Sequence, residues 1–187
     1  MSAERHNSSG KALNRVDVAL MCPASDVEEL SRSVAQTVPI VPQTGQGLAA
    51  GLTSVFAHFT NSGNQRVIAF NSDSPHLPAS ILEFAFDVLE TRHLVVGPTH
   101  DGGYYLVGAK ASHPDLFSND GMGTANALEA LLTRARALHL SVHLTDPFCD
   151  IDVAHDLSQL ADELQRIPGK APRTAKWLSE WASARRE

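Results

Sequence analysis

Short apolar runs alternate with stretches of helical period along the whole chain, and this alternation limits the fold more than any other feature. VDVALMC, over 16–22, alternates apolar and polar residues and stops at Pro23, as a strand does. A helix is expected over 25–38, with Ser25 as N-cap, Glu28 three residues on, and Val27, Leu30, Val34 and Val38 as its buried stripe. PIVPQTGQG, over 39–47, is an extended run turning into a glycine-rich loop, and 48–59 is a second helix. RVIAF has the continuous apolar character of a strand buried on both faces. Pro78 then opens a helix in which Ile81, Leu82, Ala85, Val88 and Leu89 keep the 3.6-residue period. HLVVG and YYLVGA are two more strands, TANALEALLTRARAL a helix and SVHLT a short strand. CDIDVAHDLSQLADEL turns into a helix with Val153, Leu157, Leu160 and Leu164 on one face, and a last amphipathic segment carries Trp177 and Trp181.

Such an order implies an α/β fold: a mixed, mostly parallel sheet with helices on both faces. The expected organisation is a flexible leader over 1–14, one α/β domain over 15–168 and a C-terminal amphipathic helix over 169–187. The two tryptophans sit four apart on one face of that helix, which makes them anchors on the domain or in a homo-oligomer.

A formal charge of −6 and a pI near 5.8 argue against a nucleic-acid partner. No apolar run approaches the roughly 18 residues of a membrane span, and MSAERHNSSGK has no apolar h-region of a secretory signal. The two cysteines, Cys22 and Cys149, lie far apart at the ends of apolar runs, where a thiol behaves as a small buried hydrophobe. This usage fits the reducing cytoplasm rather than a disulfide or zinc framework.

In open α/β sheets ligands bind beyond the carboxyl ends of the strands, so acids that directly follow strands carry interest. Asp73 follows VIAF in NSDSPHL, Asp101 lies in HDGGYY, and Asp150 and Asp152 stand in CDID before a helix. Hard divalent cations take oxygen ligands and share them with substrate phosphates, and carboxylates from different loops suit Mg²⁺ or Mn²⁺. Each acid also has a plain structural use: Asp73 and Asp101 as turn residues, Asp152 as the N-cap of a helix starting at Val153. His76 and His100 flank the acids as rim residues, since imidazole suits softer metals. QTGQG, with Gly45 and Gly47, and DGMGTANAL, over 120–128, both precede helices, whose exposed N–H groups favour anions.

VIAFNSDSPHLP, VVGPTHDGGYYLVG and DIDVAHDL, in this order and at these intervals, resemble a bacterial family of glycosyltransferase-like proteins with a GT-A-like, nucleotide-diphospho-sugar transferase fold. The resemblance covers roughly 16–165. More distantly, the Asp-x-Asp at 150–152 is similar to phospholactate and molybdenum-cofactor guanylyltransferases. The resemblance implies a single-domain GT-A-like α/β fold and metal-dependent transfer from a nucleotide-activated sugar. Nucleotidyl transfer, or a non-catalytic binding or partner protein, are the alternatives. It further implies Mg²⁺ or Mn²⁺ on Asp73, Asp150 and Asp152, with Asp101 catalytic. Gly102, Gly103 and Tyr104 would line the acceptor or sugar side, and Ser72, Gly45 and Gly47 would add substrate contacts. Against the family's strand and basic glycine-rich nucleotide loop this sequence offers only SSGKALNR, with Gly10, Lys11 and Arg15 and no strand before it. The nucleotide-binding segment is therefore expected to be lacking, and its loss would leave a binding or partner protein.

Overall fold

The computed structural model describes residues 16–117, 123–167 and 169–184, in two compact units, Met1–Thr44 and Gly45–Glu187. Gly10, Lys11 and Arg15 lie outside the described residues, as do 120–122 of the second glycine-rich run.

In the first unit, β1 (Leu20–Cys22) pairs in parallel with β2 (Ile40–Pro42), and α1 (Val27–Ser33) connects them. The strand is shorter than its alternation suggests: Val16 and Val18 stay exposed, and pairing begins at Leu20, whose N–H donates to the Pro39 carbonyl at 2.9 Å. The helix is shorter too. Val34 turns extended and Val38 closes a separate turn on the Ala35 carbonyl, so neither belongs to the helical stripe. Ser25 is not its N-cap, because its hydroxyl donates to the Asp26 carboxylate at 2.7 Å within a preceding 3-10 turn. Cys22 is buried, which raises its thiol pKa.

The second unit contains α2 (Gly47–Asn61), β3 (Val67–Phe70), α3 (Ala79–Thr91), β4 (Leu94–Pro98), β5 (Tyr104–Ala109), α4 (Ala127–Ala137), β6 (Val142–Leu144), α5 (Ala154–Arg166) and α6 (Pro172–Ala184). Its sheet has the order β3-β5-β4-β6; β5 runs antiparallel to β3 and β4, and β6 runs parallel to β4. Strands β3, β4 and β6 therefore share one direction, and their carboxyl ends share one edge. Helices on both faces match the expected α/β arrangement. One face packs Phe56 of α2 and Leu131 and Ala135 of α4 on Leu94, Val96 and Val107; the other packs Ala85 and Leu89 of α3 on Val95, Tyr105 and Leu106.

Strand β4 is buried throughout, but β3 is an edge strand: Phe70 is 52% exposed, so its apolar run is not covered on both faces. Tyr105 is an extra residue in β5, since Gly97 pairs with Leu106 and Pro98 with Tyr104. That bulge brings the Tyr105 and Leu106 side chains to one face. On α5, Leu157, Leu160 and Leu164 form the expected stripe, whereas Val153 caps the helix and is exposed. Helix α6 docks through Leu178, while Trp177 stays half in solvent, stacked on Trp181 at 6.2 Å. Cys149 is exposed rather than buried, and no described helix is long and apolar enough to cross a membrane.

Candidate functional site

Three chain segments leave the shared edge of the sheet, and each carries acid. Asp73 lies three residues beyond β3, Asp101 three beyond β4, and Asp150 and Asp152 in the segment after β6. That last segment first follows β4: the Thr145 N–H donates to the Val96 carbonyl at 2.9 Å, and the Phe148 N–H to the Pro98 carbonyl at 3.1 Å. It then crosses to the β3 loop. The Ile151 N–H donates to the Asp73 carbonyl at 3.0 Å, and the Ser74 hydroxyl to the Cys149 carbonyl at 3.1 Å. Asp73 is thus bound between the two acids that flank Ile151.

Asp150 feels the other three carboxylates. Asp150, half-buried, has its pKa raised, chiefly by desolvation and then by the negative charges of Asp152, Asp101 and Asp73. Among the described residues no three His, Cys, Asp or Glu side chains gather closely enough to hold a metal ion by themselves. The acids therefore share a field rather than a finished cage.

Asp101 sits in a closed loop. The Thr99 hydroxyl and the Gly103 N–H, at 3.1 Å, both donate to its Oδ1, and the Thr99 N–H donates to the Gly103 carbonyl at 3.1 Å. These donors, Thr99 first, hold its carboxyl below the usual carboxylate range. Gly102 has φ 94° and lies against the start of α4: a Cβ there would overlap the Ala125 carbonyl oxygen, and the Leu128 N–H donates to the Gly102 carbonyl. Only glycine meets both demands. The glycines after Asp101 thus serve a turn and a close approach of α4.

Tyr104 is half-buried against the α2–α4 core, and burial pushes its phenol up to about 12. Tyr105 is fully buried, with its hydroxyl 2.8 Å from Thr145 Oγ1, which braces the segment leading to Asp150. Ser72 is exposed and its hydroxyl lies 3.4 Å from Asp73 Oδ1. Gly45 and Gly47, with φ of 83° and 81°, stand at the start of α2. His100 is exposed at the rim, but His76 is buried.

Asp152 does not cap α5. Asp156 does: its Oδ2 accepts the N–H groups of Asp152 at 3.0 Å and Val153 at 2.9 Å, which lowers its pKa. Val153 has no side-chain acceptor, so only the returning half of a capping box is present. Thr99, Tyr105 and Asp156 are the supporting residues that sequence reasoning missed. Asp156 had a signal, an acid three residues into a helix; Thr99 had a weaker one, a hydroxyl two residues before a carboxylate.

The sequence family described as "Uncharacterized protein conserved in bacteria (DUF2064)" matches residues 8–124, and the chain belongs to it. A crystal structure from Desulfovibrio desulfuricans G20, described as a "putative nucleotide-diphospho-sugar transferase", superposes with a TM-score of 0.78 over 90% of this chain and 76% of the other, at 23% identity. That likeness shows the fold: α/β, of the nucleotide-diphospho-sugar transferase type. No curated protein matches the chain.

Proposed function

We propose that the protein transfers a sugar from a nucleotide-diphospho-sugar to an acceptor hydroxyl, with a divalent cation at the acid edge of the sheet. The observation that carries this reading is the delivery of Asp73, Asp101, Asp150 and Asp152 to one edge by three co-directional strands, where burial first and then the other three charges raise Asp150. The described relative of the same fold supports the substrate class.

The donor set is all carboxylate, which fits Mg²⁺ or Mn²⁺, and the mutual repulsion at Asp150 is what a cation would relieve. Asp73, Asp150 and Asp152 would hold it together with substrate phosphates, since Mg²⁺ commonly takes only one or two protein carboxylates. When bound, the cation supplies charge neutralisation at the diphosphate leaving group. Asp101, ionised at neutral pH, would accept the hydrogen of the acceptor hydroxyl. A carboxylate held below its usual range is a weak base, so it takes the proton late, once the attacking oxygen has begun to bond and become acidic. Gly102, Gly103, Tyr104 and Ser72 would line the sugar and acceptor, and the N-terminus of α2 at Gly45 and Gly47 would face phosphate. A place in the reducing cytoplasm and a homo-oligomeric contact through α6 belong to the same reading.

Thermal shift of the full chain with nucleotide sugars and nucleoside triphosphates, each with and without Mg²⁺ or Mn²⁺, tests it. A cation-dependent rise with a nucleotide sugar, lost in Asp73→Asn, is expected. A larger rise with a triphosphate than with any sugar would assign nucleotidyl transfer instead, and no rise with either would leave a partner protein.

A further inference from the structure

The loop that carries Asp73 ends in an imidazole for which the proposed reaction has no use. His76 is 4% exposed, and its ring packs 4.7 Å from that of Phe148. Its Nε2 stands 3.6 Å from Glu163 Oε2 on α5, beyond hydrogen-bond reach, and its Nδ1 is buried with no hydrogen-bond partner. The other oxygen of Glu163 accepts from Lys170 Nζ at 2.8 Å. A buried ring nitrogen without a hydrogen-bond partner costs stability that an apolar side chain would not.

The ring's location gives the reason for keeping it. Phe148, its packing partner, hydrogen-bonds the end of β4, and three residues later Ile151 hydrogen-bonds Asp73. His76 thus wedges the two acid-bearing loops from behind, against an ion pair on α5 and the turn beyond it.

We propose that His76 is a positioning residue: seated between Phe148 and the Glu163–Lys170 pair, its neutral imidazole keeps the Asp73 loop and the Asp150–Asp152 loop in register, and gaining a proton releases them. The charged groups facing the ring are Glu163 from α5 and Lys170 from the turn before α6; the other acid-bearing segment offers the uncharged Phe148, and Ser74 of its own loop is engaged by Cys149. Desolvation pushes the His76 pKa down, opposed by Glu163 and assisted by Lys170. The sign follows. The closed loop binds a proton less well than an open one, where histidine titrates near 6.5, so acid favours opening. Between pH 7.5 and 5.5 the opening equilibrium can rise at most about tenfold, and above pH 7 it stays flat.

The functional consequence rests on the proposed cation site, but the first measurement does not. Amide hydrogen exchange of the full chain, corrected for the intrinsic pH dependence, reports the Ile151 N–H that joins the loops. Its protection should fall measurably, and by no more than about tenfold, from pH 7.5 to 5.5 in the wild type. It should stay flat in His76→Gln, and fall closer to the tenfold limit in Glu163→Gln, where the counter-charge is gone. An equal fall in His76→Gln, or none in the wild type, overturns the proposal. Should His76→Gln not fold, the NMR titration of the wild-type ring decides: a pKa of 6.5 or above overturns the proposal, and a lower one supports it. In parallel, Mn²⁺ affinity should lose more between pH 7.5 and 5.5 in the wild type than in His76→Gln. If Mn²⁺ binds at no pH, the cation reading fails while the amide measurement still judges His76.

Discussion

The backbone N–H of Ile151 donates to the carbonyl of Asp73 at 3.0 Å, and this bond fastens the acid beyond β3 to the two acids beside Ile151. Burying Asp150 among these carboxylates has a cost. A carboxyl whose pKa is raised on folding destabilises the fold wherever it is ionised, so its penalty is absent at low pH and complete at neutral pH. Asp150→Asn removes the penalty and should raise the melting temperature at pH 7 by on the order of 1 °C without added metal. Mn²⁺ at about a hundred times its dissociation constant should add roughly 5–10 °C to the wild type. Little of that gain should survive in Asp150→Asn. Calorimetry on both proteins, with and without Mn²⁺, checks the exchange of function for stability.

Gly102 cannot be replaced cheaply. Its φ of 94° disfavours any side chain, and the Ala125 carbonyl occupies the place of a Cβ. Gly102→Ala should cost more than about 3 kcal/mol. Gly123→Ala is the control, with φ 71° but nothing within 4 Å, and it should cost only about 1 kcal/mol. Urea unfolding of the two variants separates strain in the backbone from overlap with α4.

Leu178, 3% exposed, packs with Leu160 and Leu164 and is the residue that docks α6 on α5. Leu178→Ala should destabilise this contact by about 2–4 kcal/mol. Trp177, 52% exposed, should cost no more than about 0.5 kcal/mol when replaced by alanine. Limited proteolysis should cut within α6 in the leucine variant well before it does in the tryptophan variant.

The order of strands and helices was legible because each element carries its own period, and the acids at strand ends were legible because the strands announce where they stop. Element ends were less so. Val34 and Val38 continue the helical spacing of Val27 and Leu30, but the chain goes extended at Val34. The tryptophans drew attention by size and spacing, yet Leu178, one residue and about 100° further round the helix, meets the leucines of α5. Those leucines choose the face, and nothing in α6 alone reveals the choice. The same holds at the site. Ile151 reaches Asp73 through its backbone, and a backbone bond between distant segments has no residue signature. His76 was expected on the rim because imidazole suits softer metals than the acids beside it would take; Phe148 and Glu163, which bury it, come from far along the chain.

Thr99, 6% exposed, gives its hydroxyl to Asp101 and its N–H to Gly103, so it sets both the shape of the loop and the charge state of the carboxylate. Thr99→Val keeps the volume and the backbone bond but loses the donor. The Asp101 pKa should then rise toward the ordinary carboxylate range, which a carboxyl-carbon NMR titration reads directly. Because the folded pKa of Asp101 is depressed, the stability linked to it is present above the unfolded value and is lost as pH falls through the folded one. The variant should therefore be weaker than the wild type by about 1 kcal/mol at pH 7, discounted for the exposure of the carboxylate. The difference should close as both proteins are taken to acid. Thr99→Ser, which keeps the hydroxyl, should behave as the wild type in the titration. If all three proteins show the same Asp101 pKa, the Thr99 hydroxyl does not set it, and the backbone N–H groups of Gly103 and Asp101 must.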